Sequence, residues 1–136
     1  MGLTHFGIGE LKNCLEHVLQ KYGVEKEKIY LAGEGTGGTA ALMLALRYPD
    51  RFAAVSVFFS KNISNFSLTN LEHTPVWLVA RKDDQQMDFQ WENQDTIKTG
   101  GQVTKLSYLA TNNFDRIMSN EYFDWILKQK CQKSPD

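Results

Sequence analysis

Three apolar runs of strand length constrain this chain more than any other feature: KIYLA (Lys28–Ala32), FAAVSVFFS (Phe52–Ser60) and TPVWLVA (Thr74–Ala80). None alternates cleanly between apolar and polar residues. Each therefore reads as a strand covered on both faces, and strands of that kind are at home in parallel sheets layered by helices. Helical patterns lie between and around them. Glu10 to Tyr22 sets Leu11, Cys14, Leu15, Val18, Leu19 and Tyr22 on one face, with Gly23 as the stop. TAALMLALRY is a strongly apolar helix ended by Pro49. Further on, residues 88–99 read as a helix broken by Gly100 and Gly101, QVTKLSYL alternates as an outer strand, and NEYFDWILKQK closes as an amphipathic helix. The order predicts a three-layer α/β/α domain with about four parallel strands, at Lys28–Ala32, Phe52–Phe59, Val76–Ala80 and Val103–Leu109.

At 136 residues the chain fits a single domain, 1–136, which would bury about 65 to 70% of its unfolded surface. The net charge of -1, with acids and bases scattered along the sequence, gives no electrostatic footprint for nucleic acid or an anionic membrane surface. No apolar run approaches the ~20 residues that cross a bilayer, and the start lacks the pattern of a signal peptide. MGLTHF also lacks the sixth-position Ser or Thr of a myristoylation signal. We expect the sequence to begin inside a longer protein, so its cellular address stays open, and an exported protein whose upstream signal has been removed is compatible with it. Cys14 and Cys131 have no metal-ligand spacing around them and read as incidental.

The chemistry-bearing stretch is KIYLAGEGTGGTAALMLALRYPDRFAAV, where a strand enters a glycine turn and a helix leaves it. Gly33, Gly35 and Gly38 fit the G-x-G-x-x-G of a dinucleotide site. That reading wants an acidic residue about 20 positions on, at the end of the next strand. The next strand ends in FFSKN, and Asp50 precedes it at the wrong end of the sheet. No cofactor is therefore expected. Gly33 to Gly37 also fits the G-x-S-x-G elbow that presents a serine nucleophile, except that its central position is Gly35.

Residues 21–60, with this turn at their centre, resemble the elbow region of α/β-hydrolases, particularly esterases and peptidases of the polyhydroxybutyrate-depolymerase type. NLEHTPVWLVARKDD is similar to the strand leading to the acid of their triad, and NEYFDWILKQK to their terminal helix. The resemblance runs from about Gly9 to Lys130 and corresponds to the C-terminal half of the family's domain. It implies a partial α/β-hydrolase fold without the early strands and the oxyanion loop. It also implies degenerate triad positions: Gly35 in the serine slot, Asp83 in the acid slot with Asp84 beside it, and Thr111, Asn112 and Asn113 where the family carries its histidine. No histidine occurs between Gly101 and Asp136. Glycine has no atom to attack a carbonyl, and an asparagine amide takes up no proton near neutral pH. The resemblance thus implies an inactive, esterase-like module for structure or recognition. The alternative is an active serine-type carboxylesterase or peptidase whose missing groups come from an upstream segment or from non-standard residues.

Two side chains at the turn are candidate displaced nucleophiles, Glu34 and Thr36. No partner base is evident for either. Thr36, where the helix begins, is expected to cap backbone N–H groups, and Glu34 to face water or accept bonds from the turn. His5, His17 and His73 are not placed as base or ligand, and the Asp83–Asp84 pair lacks the further oxygen ligands of a cation site, so no metal is expected. The triplets at Asn62 and Asn65 match the glycosylation sequon by a pattern that arises readily by chance. Trp77, Trp91, Trp125, Phe58, Phe59 and Phe123 read as packing residues. Lastly, Lys28, Ile29, Tyr30, Leu31 and Ala32 lack a neighbour that the family would supply from its N-terminal half. This bare edge is expected to be covered by a second copy, by an upstream domain, or by the segment Leu3 to Gly9.

Overall fold

The computed structural model describes residues 5–60, 71, 73–81, 103–109 and 120–131. Its elements run α1 (His5–Lys21), β1 (Tyr30–Glu34), α2 (Thr36–Arg47), β2 (Ala54–Phe58), β3 (Val76–Arg81), β4 (Val103–Leu109) and α3 (Asn120–Leu127). The four strands form one sheet in the order β1-β2-β3-β4, every neighbouring pair parallel. This is the α/β architecture that the apolar runs predict.

The two faces of the sheet follow from the period of two along β2. Val55 and Val57 point to one side, where they join Val76 and Leu78 of β3, Ala41, Leu42 and Ala45 of α2, and Ile8 of α1. Ala54 and Phe58 point to the other side, with Trp77 and Val79 of β3 and Tyr122 and Ile126 of α3. All five residues of β2 are buried, which is why the segment is apolar on both parities. One polar side chain sits within it, and it has a partner: the Tyr122 hydroxyl donates to Ser56 Oγ at 3.0 Å, fully inside the second layer.

That bond gives a pH signature. Burial pushes the Tyr122 phenol above the usual tyrosine value, against a smaller opposing pull from the Ser56 hydrogen bond. The neutral phenol is the folded form, so its contribution is whole below about pH 10 and is lost as pH rises through the raised folded-state value. Tyr122→Phe is expected to cost about 1–2 kcal/mol at neutral pH, because Ser56 loses its partner inside the core, and to flatten the fall in stability above about pH 10. Urea denaturation of both proteins across that pH range checks the two effects together.

Several boundaries differ from the sequence reading: β2 is Ala54–Phe58 rather than Phe52–Phe59, β3 runs one residue further to Arg81, α3 stops at Leu127, and α1 and β1 are displaced. α1 begins at His5 rather than near Glu10: Gly7 and Gly9 flank Ile8, whose burial in the core cluster carries the helix through two poor helix formers. The first residues of the chain, as far as they are described, are therefore a helix, and they do not cover the β1 edge as a strand. β1 runs Tyr30–Glu34 rather than Lys28–Ala32 because parallel pairing continues through Gly33 opposite Val57 and Glu34 opposite Phe58. The expected helix at 88–99 lies outside the described residues.

The segment after α3 is fastened back onto the opening of β1. Tyr30 Oη donates to the Gln129 carbonyl at 2.9 Å, the Cys131 N–H donates to the Glu27 carbonyl at 2.9 Å, and Cys131 Sγ lies 2.8 Å from the Asp50 carbonyl. Cys131 is thus a half-buried structural contact rather than an incidental tail residue. Asp50, at φ 72, turns the chain from α2 back to β2, and the neighbouring Arg51 reaches Glu16 of α1 at 2.7 Å. Half-exposed pairs of this kind contribute at most about 1 kcal/mol.

Candidate functional site

The turn between β1 and α2 is built around Gly35. It sits at φ 57 and ψ -123 in the N-cap position of α2, a left-handed conformation that side chains rarely adopt. Four hydrogen bonds hold it there. Its N–H donates to the Phe58 carbonyl at 2.8 Å, as the last rung between β1 and β2. Its carbonyl accepts the Ser60 hydroxyl at 2.6 Å and the Thr39 N–H at 3.2 Å, with Thr39 Oγ1 a weaker third donor at 3.4 Å. Ser60 is fully buried, so its hydroxyl serves the turn and not solvent. Phe59, just before it, holds φ at 54, which bends the chain out of β2 and brings Ser60 under the turn.

The four glycines of the turn have different duties. A Cβ on Gly33 would collide with the backbone of Gly37 and Gly38, and one on Gly38 would collide with Ser60 Oγ and come within 2.8 Å of the Gly33 carbonyl. These two let the strand and the first turn of α2 touch. A Cβ on Gly35 or Gly37 would meet nothing within 4 Å. At Gly35 the requirement is conformational alone, and the space that a side chain would enter is open.

Glu34 is exposed at the end of β1, and Thr36 is exposed at the first helical position. The N-cap position belongs to Gly35, which carries no capping side chain, so Thr36 is not the cap that the sequence suggested. The hydroxyls that engage the turn are those of Thr39 and Ser60. Sequence reasoning missed both, because each lies in or beside an apolar run and acquires its role only when the end of β2 meets the elbow.

All four strands are parallel, so β3 and β4 end, at Arg81 and Leu109, on the same edge of the sheet as the elbow. The acid position Asp83 with its neighbour Asp84, and the positions Thr111, Asn112 and Asn113, lie outside the described residues. His73 precedes β3 at the opposite edge, and His17 is exposed on α1. Among the described residues no group of three or more His, Cys, Asp or Glu side chains converges as a metal site. No helix there is long and apolar enough to cross a membrane.

Comparison with known proteins agrees with this geometry. The family model described as "Putative esterase" matches residues 3–113. Feruloyl esterase B of Talaromyces funiculosus is 37% identical over 59 residues, which is 41% of this chain and 17% of that enzyme. Acetylxylan esterase A of Aspergillus awamori is 32% identical over 59 residues, 41% of this chain and 19% of the relative. Among solved structures, a thermostable esterase superposes with a TM-score of 0.68 at 15% identity, over 89% of this chain and 36% of its own. A phospholipase/carboxylesterase from Dyadobacter fermentans gives 0.60 at 15% identity, over 90% of this chain and 60% of its own. The chain spans less than two thirds of each of these relatives.

Proposed function

The chain belongs to the esterase family of the α/β-hydrolase fold, and on that premise we propose that it is a member without catalysis, serving as a structural or recognition module. The observation that carries this reading is Gly35. At the turn where the fold presents a nucleophile, the backbone holds the elbow conformation, yet no side chain projects into the open space above it. The second support is that Thr111, Asn112 and Asn113, where the resemblance places the family's histidine, include no imidazole to accept a proton.

Purified protein is expected to hydrolyse short-chain p-nitrophenyl esters no faster than buffer and to remain unlabelled by a fluorophosphonate probe. Labelling of any serine or threonine at one equivalent per chain would overturn the reading and favour an active esterase or peptidase with displaced groups. Gly35→Ser sharpens the test. The added side chain finds room, at a backbone cost of about 1–3 kcal/mol for the left-handed conformation. The variant should fold and still show no turnover, since a serine hydroxyl without a general base stays protonated and weakly nucleophilic.

A further inference from the structure

We draw no further inference here: the strongest candidate, the exposed apolar stripe of Leu11, Val18 and Tyr22 along α1, carries none because nothing among the described residues shows what covers it.

Discussion

Gly33→Ala is expected to cost about 3 kcal/mol or more, the upper end of what an added methyl costs in a packed interior. The reason is where the new Cβ would go. Its three nearest neighbours are the Gly37 carbonyl oxygen, the Gly37 carbonyl carbon and Gly38 N, the last at 2.6 Å, and all three are backbone. No rotamer change relieves such a contact, so α2 would have to slide relative to β1, against the bonds that tie the Gly35 carbonyl to Ser60 and Thr39. A domain of this size has about 5–15 kcal/mol in total, so the variant should lose roughly a fifth to three fifths of that margin and melt several degrees lower. Gly37→Ala is the control from the same turn. Its Cβ meets nothing within 4 Å and the position is helical, so this variant should be unchanged or stabilised by up to about 1 kcal/mol. Thermal denaturation of the two variants side by side gives a decisive contrast, and equal effects would mean that the close approach at Gly33 is not what holds the turn.

Phe58→Ala should cost a further large amount, about 3–5 kcal/mol, by opening a cavity and not by overfilling one. Phe58 is 1% exposed at the end of β2, and its ring meets Tyr122 edge to face at 5.5 Å between centroids. Tyr122 in turn lies 5.5 Å from the Trp77 ring, and Trp77 lies 5.2 Å from Trp125, so the layer beneath α3 is a run of aromatic rings anchored at Phe58. Removing that anchor leaves α3 with fewer contacts and a void that the rigid strands β2 and β3 cannot close. The urea midpoint should fall steeply with an unchanged slope, and a loss below about 1 kcal/mol would show that the aromatic layer repacks freely.

The central strands β2 and β3 were legible because both are buried on both faces, which leaves their apolar runs uninterrupted; β2 is the clearest case, with Ser56 as its single polar residue. The boundaries were less legible where the deciding partner is remote. Gly33 and Glu34 look like turn residues in isolation and are strand residues only because Val57 and Phe58 run beside them. Gly7 and Gly9 weaken the helical pattern that Ile8 completes by burying itself in the core. At the site, the elbow was readable from the spacing Gly33, Gly35, Gly37, because tight turns between strand and helix restrict residue type by sterics. Ser60 and Thr39 carried no such signal, for a hydroxyl next to an apolar run is compatible with many roles. The left-handed Phe59 was equally silent, since nothing in a phenylalanine announces a positive φ.

The fastening of the segment after α3 onto the start of β1 has a consequence for how the molecule comes into being. The Tyr30–Gln129 bond spans 99 residues, the Cys131–Asp50 contact 81 and the Tyr122–Ser56 bond 66. Contacts so far apart in sequence close late, because the loop entropy is lost before any of them forms. On a ribosome, β1, α2 and β2 emerge long before Tyr122, Trp125 and Ile126, which among the described residues are the helical side chains that cover the Ala54–Phe58 face of the sheet. During this interval the nascent chain presents a greasy, half-built sheet to its surroundings, and its dependence on chaperones should be greatest then.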